Sequence, residues 1–367
     1  MKISKIPGLG RFGIFIDDVD LSTISDDEWM RIGQLHMENL VTIIRNSNCT
    51  KDRQSELTLK FGDTRYGLKV FLLNKYNVSW GELINRAINQ PNLLDATDTK
   101  AIVSLLSTQE KTSNGKDVSR VTGGYDDQGN PRGLFAEGEL LWHSNESGTL
   151  TWTPGVSLLG SKNVIGSATG FITTPDYYES VTESFRSELN EMILIHKFSP
   201  GKINPGLNES QDAIMNLNMC PEDAEVPMVI KSPGGITGLH YSINTVNSIK
   251  GMTQAESDAV FAEINRNLFT EKYTYDHWYQ SDNDLCLFDN SITLHRRLGN
   301  IDGRLCYRIA HDYTNLQNDI YQPYFQKSFQ NQYNKEIRKL VTAGGITNFK
   351  LPPKRWVDYI PILSSYV

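Results

Sequence analysis

The sequence predicts an α+β fold with a mainly β core and flanking helices, and three observations carry that reading. The first hundred residues alternate helical and strand spacing. From about residue 100 the chain turns to short apolar runs separated by Gly, Asn, Asp and Pro clusters such as YDDQGNPRG, the mark of strands joined by turns. Two helical patterns then interrupt this β-rich stretch, at residues 174–196 and 253–269.

Taken in order, DDEWMRIGQLHMENL has helical spacing after an Asp-rich start, VTIIR is a short β-branched strand, and TKDRQSELTLKFG is a helix entered through a Thr cap. TPDYYESVTESFRSELNEMILIH reads as one long helix with Pro at an early position. Tyr178, Val181, Phe185, Leu189 and Met192, three or four apart, form its buried stripe. Lys197 to Pro227, rich in Pro, Asn, Gly and Asp, reads as a long loop of the kind that serves as a lid or binding loop. TQAESDAVFAEINRNLF opens with Thr253 and Glu256 at capping-box spacing. YTYDHWYQ, DLCLFDN and RLCYRIAHDY follow as three strand candidates. Residues 1–324 are expected to form a single domain with an α/β flank at its start. Residues 325–367, with a short amphipathic helix in QNQYNKEIRKLV and the segment LPPKRWVDYIPIL, are expected to pack back on it or on a second subunit, so a homo-oligomer is in view.

Composition narrows the function. The 367 residues are 39% hydrophobic and 22% charged, as in a soluble globular protein. A net charge of −7, with no basic run longer than Arg296-Arg297, argues against nucleic acid as a partner and leaves a small molecule or a protein. No signal-peptide core or segment of about 20 apolar residues is present, so no membrane role and a cytoplasmic location are expected. The four cysteines, Cys49, Cys220, Cys286 and Cys306, form no CxxC pair and read as reduced thiols, the last two in strand core.

The chemistry concentrates around ELLWHSNES. A strand alternates its side chains, so His143 and Asn145 share one face, while Trp142, Ser144 and Glu146 share the other. Only Asn145 can join His143 on a metal unless a bulge recruits Glu146. The competing reading is a hydrogen-bonded core histidine. Far downstream, DLCLFDNSITLHRRLGNIDGRLCYRIAHDY presents an Asp-Asn turn, His295 and a strand bearing Arg304 and Arg308, four residues apart and therefore on one face.

These motifs together resemble the taurine dioxygenase-like branch of the Fe(II)/2-oxoglutarate-dependent oxygenases over residues 30 to 315. That family carries a WHxD motif, then a GGxTxF segment leading into a helix, here GSATGFITTPDYYESV, and later WDN-x-x-x-x-H, here FDNSITLH. VTIIRNSNC with LKFGD, and WTPGVSLLG after the first motif, fit the same order. The resemblance implies a double-stranded β-helix, or jelly roll, with flanking helices. It also implies Fe(II) and 2-oxoglutarate as cofactor and cosubstrate, and dioxygen and a small molecule, which is hydroxylated, as the other reactants. By the same resemblance His143 and His295 are iron ligands, Arg304 and Thr169 hold the distal carboxylate of 2-oxoglutarate, and Arg308 stands where an acidic group of the substrate can bind. Ferrous iron at such a site keeps three positions open for substrates.

The sequence departs from the family at the third ligand, where Asn145 replaces the expected carboxylate. A carboxamide oxygen is neutral and a weaker donor to Fe²⁺, so iron should bind less tightly. Three readings stay open: Asn145 coordinates or leaves a water, an exogenous anion takes the position as in the family's halogenases, or the chain is a catalytically silent binding protein. His240, after the turn SPGG, and Glu139, before the first motif, are further substrate-binding candidates, and Glu139 with Arg308 would suit an amino-acid-like substrate. His277 is expected to be structural, and Trp142, Trp152, Trp278 and Tyr279 to be barrel core.

Overall fold

In the computed structural model the described residues are 1–62, 64–65, 67–125, 127, 132, 138–147, 153–197, 224–313 and 315–316. The chain opens with β1 (Lys2–Lys5), β2 (Ile14–Asp17), α1 (Asp26–Asn39), β3 (Val41–Ile44) and α2 (Lys51–Phe61). Ser25 and Glu28 close a capping box on α1, and the Thr50 side chain accepts the Arg53 amide at the start of α2. β4 (Thr64–Arg65) leads into α3 (Gly67–Tyr76), α4 (Trp80–Asn89) and α5 (Ala96–Thr108), so helix persists past residue 100 before strands take over. Then come β5 (Gln109–Lys111), β6 (Asp117–Thr122), β7 (Leu140–His143), β8 (Gly155–Lys162) and β9 (Ser167–Thr173).

The long helix expected over residues 174–196 is three elements. α6 (Pro175–Ser180) stops at Val181, which is extended at φ −71° and ψ 159°, and Thr182 caps a new helix, α7 (Glu183–Glu191), by accepting the Phe185 amide. The β-branched run that follows is β10 (Ile193–His196), paired on both sides. The stripe itself survives the break, because Tyr178, Val181, Phe185, Leu189 and Met192 all reach the same apolar cluster. The expected loop from Lys197 to Pro227 ends in a strand, β11 (Ala224–Pro227), that pairs with β10; residues 198–223 lie outside the described residues. β12 (Val229–Lys231), β13 (Thr237–Leu239), β14 (Val246–Ile249) and α8 (Gln254–Leu268), with its Thr253–Glu256 capping box, complete this layer.

The C-terminal half of the core is β15 (Thr274–Trp278), β16 (Leu285–Asp289), β17 (Thr293–Gly299) and β18 (Leu305–His311). β17 is a strand beyond the three expected, and it carries His295. The 325–367 extension lies outside the described residues.

Apart from the three-stranded sheet β11-β10-β14 and the pair β12-β13, the strands form a nine-stranded sheet, ordered β1-β2-β3-β16-β8-β18-β6-β5 with β4 beside β18, and a four-stranded sheet ordered β15-β9-β17-β7. Alternation along the central strands assigns their faces. Cys286 and Phe288 on β16, with Val156 and Leu158 on β8, meet Phe171 of the smaller sheet. Leu285, Leu287, Leu159 and Ile309 face the other way, onto Trp29 and Ile32 of α1 and Leu57 and Phe61 of α2. The fold is therefore mixed α/β and mostly sheet, with α1 and α2 on one side and α8 on the other. Tyr279 lies in the core as expected, whereas Trp278 is 47% exposed, since its neighbour on the strand, His277, takes the inward face. Trp142 is half-buried beneath the Arg296 guanidinium, and Trp152 lies outside the described residues. Cys49, Cys286 and Cys306 are buried free thiols. No helix among the described residues is long and apolar enough to cross a membrane.

Candidate active site

The two sheets enclose a pocket at the end where β7 and β17 pair. His295 lies directly opposite His143 in that ladder, and their rings are 4.1 Å apart. The Nδ1–H of His143 donates to the Leu141 carbonyl at 2.6 Å, which leaves the Nε2 lone pair unprotonated. Burial lowers the His143 pKa to about 4, with the positive charges of Arg308 and Arg297 adding to the effect; burial and His143 hold His295 well below its ordinary value. Both imidazoles are thus neutral at pH 7, the state a metal requires.

Asn145 also lines the pocket, by a route other than strand alternation. β7 ends at His143, and Ser144 to Ser147 leave the strand, with Asn145 to Ser147 forming a turn in which Glu146 is left-handed at φ 58°. Asn290, from the Asp-Asn turn, grips this segment at both backbone groups of Asn145. Its Oδ1 accepts the Asn145 amide at 2.9 Å and its Nδ2 donates to the Asn145 carbonyl at 2.8 Å. Ser144 Oγ donates to the Asn290 carbonyl, and Ser242 Oγ accepts the Ser144 amide. So fixed, the Asn145 side chain accepts from Arg308 Nη1 at 3.1 Å, while its Nδ2 is buried without an acceptor.

The opposite wall comes from β9 and β18. Arg304, only 2% exposed, donates from Nη2 to Thr169 Oγ1 at 3.4 Å, and Thr169 exchanges a hydrogen bond with Tyr279 Oη at 2.9 Å. The guanidinium lies 5.7 Å from the Tyr279 ring centre, and its Nε is buried without an acceptor. Arg297, on β17 opposite Thr169, donates to the Gly138 carbonyl at 2.8 Å; burial and nearby Arg304 push its guanidinium down to about 9. Arg120, Arg296, Arg297, Arg304 and Arg308 all line this pocket, and no aspartate or glutamate among the described residues does.

His143, Asn145, His295, Thr169, Arg304 and Arg308 therefore share one pocket. Glu139 does not line it: it is exposed and accepts the Gly299 amide at 3.3 Å. His240 sits behind the site, its Nδ1 on the Ser291 carbonyl at 2.6 Å and its ring 6.0 Å from His196. His277 is bonded to Asp284 at 2.9 Å, a structural pairing. Tyr279, Arg297 and Asn290 are pocket or clamp residues to which the sequence patterns give no such part. The Asn of FDN was visible only as a turn, and Arg297 only as half of a basic pair.

The donor set fits iron and 2-oxoglutarate in two respects. Two neutral imidazoles converge, and a buried arginine Nε lacks an acceptor of the kind a carboxylate supplies. It departs in the third, since no three His, Cys, Asp or Glu side chains among the described residues gather as they would round a metal ion.

Residues 3–309 match the family described as taurine catabolism dioxygenase TauD, TfdA family. No curated protein matches the chain. Among solved structures, a taurine dioxygenase from Burkholderia xenovorans superposes with a TM-score of 0.56 at 17% identity, covering 84% of this chain and 89% of that one. The structure of AAD-2 in complex with Mn(II) and N-oxalylglycine gives 0.56 at 15% identity, covering 89% and 100%. At such identities these likenesses speak for the fold.

Proposed function

The chain belongs to the taurine catabolism dioxygenase TauD, TfdA family, and on that premise we propose that it hydroxylates a small acidic substrate in the pocket built on His143 and His295, where no carboxylate among the described residues stands to meet the ammonium of an amino-acid-like one. It is a 2-oxoglutarate-dependent dioxygenase that uses Fe(II). In the proposed reaction 2-oxoglutarate loses CO₂ and becomes succinate with one atom of dioxygen, and the other atom enters a C–H bond of the substrate. The two facing sheets form the double-stranded β-helix of the family.

Ferrous iron, when bound, supplies the activation of dioxygen. His143 and His295 would hold it, the first with its tautomer set by the Leu141 carbonyl. Asn145 occupies the third ligand position and brings no charge to it. Arg304 and Thr169 orient the distal carboxylate of 2-oxoglutarate, with Tyr279 fixing the threonine hydroxyl from behind. Leu140, Val121, Leu158 and Phe288 line the same pocket and give it an apolar wall. Arg308 is left to meet the acidic group of the substrate.

The observation that carries the reading is the convergence of two neutral buried imidazoles with a buried arginine whose Nε lacks an acceptor. Its test is succinate formation from 2-oxoglutarate under oxygen with added Fe(II), alongside Mn(II) binding followed by electron paramagnetic resonance. His295→Ala is expected to lose Mn(II) binding and at least about a hundredfold in succinate, the scale of removing a group that acts only with its partners. The absence of both succinate formation and Mn(II) binding in the unaltered protein would sink the proposal.

A further inference from the structure

β7 ends at His143, so no strand ladder fixes residue 145, yet it shares a pocket with two imidazoles whose places are set by the pairing of β7 with β17. What fixes it is the side chain of Asn290, which is only 1% exposed. A carboxamide offers two donor hydrogens and one acceptor oxygen, and here each is used. Oδ1 accepts the Asn145 amide at 2.9 Å and lies 3.0 Å from Ser144 Oγ. Nδ2 donates to the Asn145 carbonyl at 2.8 Å and to the Thr153 carbonyl at 2.9 Å. The Asn290 backbone amide adds a bond to the Pro154 carbonyl at 2.7 Å. One residue therefore holds both ends of the segment from Asn145 to Thr153. It stands on a turn that is itself braced, because Asp289 Oδ1 accepts the amides of Ser291 and Ile292, and that turn opens into the strand bearing His295.

We propose that Asn290 is a positioning residue for the metal site, a staple that sets residue 145 at the third ligand position relative to His143 and His295. This rests on the dioxygenase reading above and adds to it how the site is assembled. The backbone of Asn145 and that of Thr153 present carbonyl oxygens that need donors, and the Asn145 amide needs an acceptor beside them. A single planar amide meets all three, whereas a carboxylate of the same shape has no donor and a hydroxyl has only one. The asparagine at 145 thus removes a charge from the site and leaves in place the scaffold that would aim a carboxylate. A carboxylate restored there reaches the metal only while the staple holds. Contacts of this outer kind are commonly worth about ten- to a hundredfold in metal affinity.

The test is a double-mutant cycle on the full chain, read as Mn(II) affinity by electron paramagnetic resonance. Asn145→Asp is expected to tighten Mn(II) by about tenfold or more, since it brings a charged oxygen donor to the position. Made together with Asn290→Ala, the same substitution is expected to tighten it by about twofold at most. A general loosening of the fold would instead weaken Mn(II) by one factor whichever residue stands at 145, and would weaken 2-oxoglutarate as well. At saturating Mn(II), Asn290→Ala is expected to bind 2-oxoglutarate within about threefold of the unaltered protein, because Arg304 and Thr169 lie on other strands. Urea unfolding checks that each variant is folded. Should Asn290→Ala not fold, Ser144→Ala removes the hydroxyl beside Oδ1 and is expected to cut the gain from Asn145→Asp about threefold. An equal gain from Asn145→Asp with and without the staple, or no gain at all, overturns the proposal. If neither the unaltered protein nor Asn145→Asp binds Mn(II), the dioxygenase reading fails and the positioning role with it, an outcome distinct from Mn(II) binding that is indifferent to Asn290.

Discussion

Arg304 is among the largest fully buried side chains of the described residues, and a guanidinium so placed is costly unless its charge and hydrogen bonds are met. Thr169 and the face of Tyr279 meet part of its hydrogen-bonding and charge, and its Nε is buried without an acceptor, as the proposed hold on 2-oxoglutarate requires. Arg304→Gln is expected to raise the KM for 2-oxoglutarate about thirtyfold or more, the equivalent of about 2 kcal/mol for truncating one partner of a buried charge pair. Steady-state succinate formation checks it, and an unchanged KM would remove Arg304 from the cosubstrate site. Arg304, Thr169 and both histidines were picked out through the resemblance to the family, because each lies in one of its motifs, in the family's order. Tyr279, Arg297 and Asn290 were not. Their parts depend on what stands across the sheet: Tyr279 behind Thr169, Arg297 opposite it, Asn290 beside the Asn145 turn. Such neighbours are far apart in the chain, and no spacing within one segment encodes them.

Helix starts were readable with accuracy, since caps are local. Thr50 on α2 and the Thr253–Glu256 box on α8 stand where the residue types predict them. α2 packs Leu57 and Phe61 beneath the larger sheet, so its cap bears on global stability. Thr50→Ala is expected to cost about 1 kcal/mol, read as a lower urea midpoint with an unchanged slope. Where an element must choose between two fates, periodicity misleads. Residues 174–196 keep an unbroken apolar stripe, yet the chain breaks at Val181 because Thr182 caps a fresh helix and Ile193 to His196 pair as a strand. The stripe records which cluster those side chains reach, not that one helix carries them. Strand alternation picked Asn145 as the neighbour of His143, while in the structure a turn held by Asn290 puts it there.

Across the whole molecule, burial makes histidine the main source of pH dependence. His36 is lowered to about 3 and His143, His240 and His311 to about 4, in each case first by burial, and His196 and His295 lie well below 6.5. The unfolded chain binds protons near pH 6.5 that the folded chain refuses until far lower pH. Stability is therefore full above about 6.5 and falls as pH drops toward 4, by about 1.4 kcal/mol per pH unit for each such group. Asp289, raised to about 7 by burial, works in the opposite direction and offsets one proton. The metal-free protein is expected to show a urea midpoint that falls steeply between pH 7 and 5, and His36→Phe is expected to flatten that slope by about one proton's worth. A midpoint independent of pH across that range would contradict the buried neutral imidazoles.

The sequence by itself determined the classes of element, most helix starts and the mainly β core, which depend on local propensity and capping chemistry. His143, His295, Thr169 and Arg304 stood out through the order of motifs that the chain shares with its family. Only the tertiary structure decided that the Asn145 oxygen turns to Arg308, that five arginines line one pocket with no acidic residue among the described ones, and that Glu139 and His240 stand outside it. The physical reason is that a side chain's hydrogen-bond partner and charge environment come from strands that meet across two sheets. Asn145 and Arg308 are separated by 163 residues in the chain and by 3.1 Å in space.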